Sequence, residues 1–293
     1  MKFKKHLLEI QEYSPPLEGR DPDKSLLLDF NERTVALPEH IQNALMDYIQ
    51  KNHLHIYPAY GEYEKKIAEN LAVDSSQILL TNGSDQGIDI VLRSLCGANT
   101  EVIIPTPSFP IYEHCVLLEN SKVIEVPYAN ELYGYPIEKV LAAVNEHTVC
   151  ILVSNPNNPT GTLASRENII ELCEKAPDVC ILVDECYYQY AGITVIDLIN
   201  IYPNLVVTRT FSKTWGMPAL RLGLVISTSS NITQFRKIRG PYDVNMLAVV
   251  AGVAALESPE YMLSHVREVL DYSKPKLESF LEDNEISFCP SAA

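Results

Sequence analysis

Four loop segments of the chain carry residues whose types could do chemistry together. Each segment follows a short apolar run of the kind that forms a buried strand. The segments are residues 81–85 (TNGSD), 154–161 (SNPNNPTG), 183–187 (VDECY) and 208–213 (TRTFSK). In an open α/β sheet, ligands bind beyond the carboxyl ends of the strands. We therefore expect these loops to lie at one edge of a sheet and to form one site.

Individual residues in these loops supply different functional groups. Lys213 is an amine that could act as a nucleophile, and Arg221 follows it by eight residues. Asp184 ends an apolar strand, where a carboxylate is costly to ionise unless it meets a cation. Residues 83–85 begin a predicted helix, whose free N–H groups suit a phosphate, although an ordinary helix cap would use the same residue types. With the amides of the 154–161 loop, these are the parts that hold pyridoxal 5'-phosphate (PLP).

Motifs of other enzyme classes are missing from the sequence. None of the 12 glycines is followed two residues later by another, so the G-x-G-x-x-G turn does not occur, and neither does the P-loop pattern. No glycine pair frames a serine as in the α/β-hydrolases. His53 and His55 have no third ligand in view, so we interpret them as surface histidines rather than as a metal site.

The motifs also carry a family resemblance. SNPNNPTG (154–161), VDECY (183–187) and TFSKTWGMPALRLG (210–223) resemble the fold-type-I PLP-dependent aminotransferases of class I and II. Within that group the chain is most similar to the histidinol-phosphate aminotransferases. The segments that carry this finer similarity are residues 13–20 (YSPPLEGR), 28–32 (LDFNE) and 240–245 (GPYDVN). After residue 32 those enzymes usually continue with a proline and a glycine, whereas residues 33–36 here are RTVA, which leaves the amino donor open.

The resemblance implies roles for residues around the cofactor ring. Lys213 would bind PLP covalently and carry a proton between the substrate α-carbon and the cofactor. Asp184 would keep the pyridine nitrogen protonated. Asn158 and Tyr187 would hydrogen-bond the phenolic oxygen of the ring. Phe109 would stack on the ring, with a plain core role as the alternative. The predicted catalytic residues are therefore Lys213, Asp184 and Tyr187.

The resemblance also implies how the phosphate and the substrate are held. The predicted phosphate ligands are Gly83, Ser84, Asp85, Thr210, Ser212 and Arg221. Tyr57 matches a tyrosine that reaches the phosphate of the neighbouring subunit, which implies a homodimer with shared active sites. Tyr13 and Asn31 are expected to contact the substrate. The implied partners are a small-molecule amino donor and a 2-oxo acid.

The elements that must position these residues alternate along the chain. Predicted strands cover residues 77–81, 101–104, 122–126, 148–153, 179–183, 205–209 and 223–226. Helical periodicity covers residues 84–95, 136–144, 166–174, 245–257 and 259–284. This alternation predicts an α/β fold with a largely parallel sheet. The resemblance implies seven strands in a three-layer large domain.

Three regions are expected along the chain. Residues 1–30 form an N-terminal arm, residues 31–240 the PLP-binding large domain, and residues 241–293 an incomplete small α+β domain. A short apolar run at 286–289 is expected to begin a strand. Family members continue for several dozen residues beyond this point and supply an arginine for the substrate carboxylate there. We therefore expect the family's C-terminal end to be missing, and the carboxylate ligand stays unassigned.

Charge and composition argue against some classes of partner. The formal net charge is −15, which is unfavourable for nucleic acid or an anionic membrane. Hydrophobic residues make up 46% of the chain, enough for a large core. The longest apolar run, residues 246–256, is too short to span a bilayer, and no signal-peptide pattern occurs. Seven cysteines without C-x-x-C spacing indicate reduced thiols, so we expect a cytoplasmic protein.

The sequence leaves three functions open. The first is a transaminase that acts between an amino acid or amino-alcohol phosphate, similar to histidinol phosphate, and a 2-oxo acid such as 2-oxoglutarate. The second is a PLP-dependent decarboxylase of the threonine-phosphate type, which would release carbon dioxide rather than form glutamate. The third is a truncated PLP-binding protein with impaired catalysis, because the last domain is expected to be incomplete.

Overall fold

A computed structural model describes residues 1–51, 53–128 and 134–293. Its strands are β1 (Ile78–Thr81), β2 (Glu101–Thr106), β3 (Lys122–Pro127), β4 (Thr148–Ser154), β5 (Cys180–Asp184), β6 (Leu205–Thr210) and β7 (Gly223–Ile226). Its helices are α1 (Glu39–Gln50), α2 (Gly61–Asn70), α3 (Gly83–Leu95), α4 (Ile111–Leu118), α5 (Ile137–Ala143), α6 (Arg166–Lys175), α7 (Tyr188–Ala191), α8 (Ser229–Phe235), α9 (Met246–Glu257), α10 (Glu260–Glu268) and α11 (Lys274–Asp283). Single 3₁₀ turns lie at Lys5–Leu8, Ser75–Gln77, Ile196–Leu198 and Pro218–Leu220.

The seven strands form one mixed sheet in the order β1-β7-β6-β5-β4-β2-β3. Strands β3, β2, β4, β5 and β6 are parallel to one another, and β7 runs antiparallel to both of its neighbours. The mostly parallel α/β sheet expected from the sequence is therefore confirmed. Because β4, β5 and β6 run in the same direction, the three loops that follow them emerge at one edge.

Helices cover both faces of this sheet, which gives three layers. Successive side chains of a strand point to opposite faces. In β4, Ile151 and Val153 enter one hydrophobic cluster, whereas Cys150 and Leu152 enter the other. The first cluster is completed by α1, α2, α5, α6 and α9, and the second by α3, α4 and α8. The strands are apolar on both faces because both faces are covered.

Helix α9 is apolar around its whole circumference, which is typical of a helix buried on all sides. Val249 and Ala251 are fully buried within the first cluster. The side chain of Asn245 accepts a hydrogen bond from the Ala248 N–H and caps the first turn.

Among the described residues no single helix is long and apolar enough to span a membrane. Only the bent pair Met246–Glu257 and Glu260–Asp283 reaches that length and composition when the two are taken together.

Two features of the last 35 residues differ from the expectation. The predicted helix 259–284 is divided into α10 and α11 by a π-helical turn at Val269–Ser273. Residues 286–289 form no strand. The sheet of the described residues offers them no neighbouring strand, and a strand needs a paired partner for its backbone groups. Near the end of the chain, the Ala292 N–H donates instead to the Gly161 carbonyl.

The start of β7 packs directly on the start of α3, and a glycine makes this contact possible. A Cβ atom at Gly223 would lie 2.3 Å from the Gly83 carbonyl carbon and 2.4 Å from the Ser84 nitrogen. We expect Gly223→Ala to lower the free energy of unfolding by about 1 to 3 kcal/mol or more, because backbone atoms must move apart. Urea denaturation measures this, with Gly97→Ala as the control, since a Cβ there meets nothing within 4 Å. Equal stability of the two variants would contradict the packing argument.

Candidate active site

A cavity of about 290 Å³ lies at the edge of the sheet where β4, β5 and β6 end. It is lined by most of the residues that the sequence singled out. These are Tyr13, Ser84, Asp85, Phe109, Asn158, Asp184, Tyr187, Thr210, Ser212, Lys213 and Arg221. Gly83 lies immediately beside the Arg221 guanidinium. The structure thus brings the four predicted loops together around one space.

Strand register explains why the Asp184 carboxylate has polar neighbours although it is buried. Asp184 on β5 is paired with Ser154 on β4 and with Thr208 on β6, so three polar side chains form a row across the sheet. Asp184 is only 3% exposed. It accepts hydrogen bonds from the Tyr112 hydroxyl at 2.7 Å, the Thr208 hydroxyl at 2.9 Å and the Cys186 thiol at 3.1 Å.

These bonds determine what else Asp184 can bind. Burial raises the pKa of Asp184, and the hydrogen bonds from Tyr112, Cys186 and Thr208 oppose that rise. The two oxygens of an ionised carboxylate offer about four acceptor positions, and side chains of the described residues occupy three of them. One position remains for a donor in the cavity. A cationic N–H donor would suit it best, because it would also compensate the buried charge.

The amine of Lys213 lies above the same cavity. Its Nζ donates to the Phe30 carbonyl at 2.7 Å and lies 6.0 Å from the centroid of the Tyr187 ring. Burial lowers the pKa of Lys213, so more of the amine is neutral and nucleophilic than for an exposed lysine. The Tyr187 hydroxyl accepts a hydrogen bond from Asn31 Nδ2 at 3.1 Å. Burial raises the pKa of Tyr187 to about 12, so the phenol stays a proton donor near neutral pH.

The opposite end of the cavity holds hydrogen-bond donors that can bind an anion. Arg221 Nη1 donates to the Ser212 hydroxyl at 3.4 Å, and Nη2 pairs with Asp85 at 3.0 Å. The Thr210 hydroxyl donates to Ser212 at 3.0 Å. The first turn of α3 has no hydrogen bond from the side chain of its cap residue, Asn82. Its N–H groups are therefore not used up by the ordinary cap that the sequence left as an alternative.

An aromatic group closes one side of the cavity. Phe109 packs edge to face against Tyr13, with ring centroids 6.5 Å apart, and against Tyr112, with centroids 5.6 Å apart. It is partly buried and packs on the second hydrophobic cluster while one side lines the cavity. Phe109 is therefore part of the core and also available at the cavity wall, and its stacking on a cofactor ring stays a prediction.

A second cavity of about 600 Å³ adjoins the first. Lys213, Tyr187 and Asn158 line both cavities, whereas Asn31 lines only the second. The remaining wall is mixed in character, with Leu26, Leu28, Thr34, Tyr190, His265 and Glu268 among its residues. A small molecule in the second cavity would therefore face the lysine amine.

One predicted residue is not brought to the cavity of its own chain. Tyr57 is 76% exposed and stacks on Tyr242, with ring centroids 4.5 Å apart. Three residues that donate hydrogen bonds to Asp184 have no role in the sequence-based prediction. Tyr112 lies on α4, one turn beyond Phe109, and Thr208 is the register partner of Asp184. Cys186 lies inside a motif that was noted for its other residues.

The groups in the first cavity fit the chemistry of PLP. The cofactor needs an amine for its aldehyde, an acceptor for its ring N–H, donors for its phenolic oxygen and an anion site for its phosphate. Lys213 supplies the amine, and Asp184 has one acceptor position free for the ring N–H. Arg221 and the uncapped start of α3 supply the anion site.

The chain is similar to known proteins in both sequence and fold. The family model of aminotransferase class I and II matches residues 23–283. A histidinol-phosphate aminotransferase of Geobacillus sp. (strain WCH70) is 32% identical over 273 residues, which cover 90% of this chain and 73% of that protein. The crystal structure of a putative histidinol-phosphate aminotransferase from Erwinia carotovora atroseptica superposes with a TM-score of 0.85 at 25% identity, covering 93% of this chain and 80% of that one. The Sinorhizobium meliloti histidinol-phosphate aminotransferase, solved in complex with pyridoxal-5'-phosphate, shares the fold with a TM-score of 0.83 at 22% identity over 90% of this chain and 72% of that one.

Proposed function

The chain belongs to the class I and II aminotransferases, which are PLP-dependent enzymes, and from this membership we propose its substrates. The amino donor is histidinol phosphate or a closely similar amino-alcohol phosphate or amino acid, and the acceptor is a 2-oxo acid such as 2-oxoglutarate. The observation that carries the proposal is the position of Lys213, whose amine borders both cavities. One cavity suits the cofactor, and the larger one suits a substrate next to it. The similarity to histidinol-phosphate aminotransferases supports the choice of donor.

The cofactor ligands are proposed from the donors in the first cavity. Asp184 accepts the N–H of the pyridine ring, Phe109 packs on the ring face, and Tyr187 and Asn158 donate to the phenolic oxygen. The start of α3, with Gly83, Ser84 and Asp85, binds the phosphate together with Thr210, Ser212 and Arg221. When bound, PLP supplies an aldehyde that reacts with amines and a ring that withdraws electrons from the substrate α-carbon.

Side chains of the protein would carry out the proton transfers and position the substrate. Lys213 would carry a proton between the substrate α-carbon and the cofactor, and burial favours this role because it lowers the pKa of the amine. Asp184 keeps a proton on the ring nitrogen through its one free acceptor position. Asn31, which lines the larger cavity, donates a hydrogen bond to the Tyr187 hydroxyl. Asn31 from the larger cavity and Tyr13 from the smaller one are proposed to contact the substrate.

Arg221 allows a direct test of the phosphate site. We expect Arg221→Ala to weaken PLP binding by about 10- to 100-fold, the effect of losing one charge-assisted hydrogen-bonding group. The dissociation constant of pyridoxal, which lacks the phosphate, should hardly change. Both constants are measured by titrating cofactor-free protein. Arg93→Ala, which removes an exposed arginine of α3 paired with Asp89, is the control. Equal losses for PLP and pyridoxal would contradict the assignment.

We also propose a homodimer in which Tyr57 reaches the phosphate bound by the neighbouring subunit. Tyr57 and Tyr242 form an exposed aromatic pair, and exposed Leu54 and Ile56 extend the apolar surface. A shared site predicts a specific result for dimers formed from two different variant chains. Lys213→Ala and Tyr57→Ala chains are each impaired alone, but a mixed dimer has one site with both native residues. Activity should therefore rise on mixing, and the absence of any rise in a mixture proved to contain mixed dimers would contradict the shared site.

A donor panel tests the proposed reaction. The PLP-loaded protein is mixed in turn with histidinol phosphate, an aromatic amino acid, glutamate and threonine phosphate, and conversion to the pyridoxamine form is followed by absorbance. We expect the fastest conversion with histidinol phosphate, and glutamate formation when 2-oxoglutarate is added. Faster conversion with another donor would show that this donor, rather than histidinol phosphate, is the preferred substrate. Carbon dioxide release from threonine phosphate without glutamate formation would identify a decarboxylase instead.

A further inference from the structure

Cys186 occupies a position that the proposed cofactor ligands alone do not explain. Its side chain lines the first cavity. The sulfur lies 3.1 Å from Oδ1 of Asp184, at the ring-nitrogen end of the proposed site. The same sulfur lies 3.5 Å from the Ser84 hydroxyl, at the phosphate end. One atom thus bridges the end of β5 and the start of α3.

The direction of both hydrogen bonds follows from the chemistry of the groups. An ionised carboxylate only accepts, so the Cys186 thiol donates to Asp184. With its proton engaged there, the sulfur can only accept from the Ser84 hydroxyl. Burial raises the pKa of Cys186 well above that of a free thiol, so the group keeps its S–H.

Other cysteines of the chain show what a purely structural thiol looks like here. Cys173 belongs to the first hydrophobic cluster and Cys115 to the second, and both are packed among apolar side chains. Cys186 is in neither cluster, and its two close partners are polar. Filling space in the core is therefore not what keeps a thiol at this position.

We propose that Cys186 is a positioning residue that acts on the cofactor through Asp184 and Ser84. Its S–H stabilises the ionised form of Asp184, and its sulfur holds the Ser84 hydroxyl toward β5. The proposal rests on the proposed PLP site. Without the thiol, Oδ1 of Asp184 retains the Thr208 hydroxyl as its one donor among the described residues. The proton between the carboxylate and the ring nitrogen then shifts toward the carboxylate, and the ring withdraws electrons less strongly.

The variants that test the proposal are Cys186→Ala, Cys186→Ser and the control Cys173→Ala. PLP labelled with ¹⁵N in the ring reports the protonation of the ring nitrogen through its NMR shift, independently of turnover. We expect the Cys186→Ala shift to move toward the unprotonated value, while kcat falls about three- to tenfold with little change in KM, since one donor to a charged group is lost. Cys186→Ser, which restores a donor, should recover most of both readouts, and Cys173→Ala should leave the shift unchanged.

Distinct outcomes separate this proposal from the proposed function. Native protein that binds no PLP would refute the cofactor site itself. Native protein that binds PLP, together with a Cys186→Ala ¹⁵N shift and kcat equal to those of Cys173→Ala, would refute the role of Cys186 alone. If Cys186→Ala does not fold, the infrared spectra of native protein and of Cys186→Ser are compared instead. We expect a band of a hydrogen-bonded S–H group in native protein that is missing from Cys186→Ser. A Cys186 band at the frequency of a free thiol would overturn the proposal.

Discussion

Replacing Lys213 by alanine is expected to abolish covalent attachment of PLP and to lower kcat for transamination at least about 10³-fold. The variant removes the amine that we propose both reacts with the cofactor aldehyde and moves the substrate α-proton. The described structure places no other lysine on the wall of either cavity. Borohydride reduction followed by peptide mass analysis should find the cofactor on the Lys213 peptide of the native protein and nowhere in the variant.

The control for this variant is Lys122→Ala, at the start of β3 and away from both cavities. Lys122 is exposed and pairs with Glu101 on the neighbouring strand, so its loss should leave the absorbance of bound PLP and kcat near native values. An unchanged visible spectrum in Lys213→Ala would remove the basis of the assignment. Added methylamine offers a further check, since a free amine that enters the cavity should restore part of the proton-transfer activity.

The fold could be predicted from the sequence because its strands are apolar runs bounded by turn residues. Strand β7 is found at 223–226 as predicted, and β5 begins one residue later than its predicted start. The antiparallel direction of β7 could not be predicted, because a run that is apolar on both faces has the same pattern in either direction. The strand predicted at 286–289 is wrong, since pairing depends on a neighbour that the local pattern does not reveal.

The candidate site was predictable where chemistry lies within one loop and unpredictable where it depends on register. Asp184 ends β5, Lys213 lies three residues after β6, and Arg221 lies two residues before β7, all in motifs that the sequence shows directly. Tyr112 and Thr208 lie 72 and 24 residues from Asp184 along the chain, yet both donate to its carboxylate. Their contribution depends on which strands are neighbours and on how α4 packs, and no local pattern contains that information.

Asp184→Ala is expected to lower kcat about 10²- to 10³-fold, the usual effect of removing one electrostatic partner of the reacting system. In the proposed site, a ring nitrogen without the carboxylate would lose its proton near neutral pH, and the ring would withdraw electrons weakly. Steady-state kinetics measure the loss. The control is Asp197→Ala, which removes an exposed carboxylate paired with Arg166 away from both cavities. Its kcat should stay near the native value.

A cofactor with a permanent charge separates the electrostatic role of Asp184 from a structural one. N-methyl-PLP carries a positive ring nitrogen that needs no proton, and Asp184→Ala leaves space for the methyl group where the carboxylate was. If Asp184 acts by keeping the ring charged, the variant should regain at least about tenfold in kcat with N-methyl-PLP, while native enzyme should gain nothing. If the variant stays equally slow with both cofactors, the main function of Asp184 is to hold Tyr112, Thr208 and Cys186 in place rather than to protonate the ring.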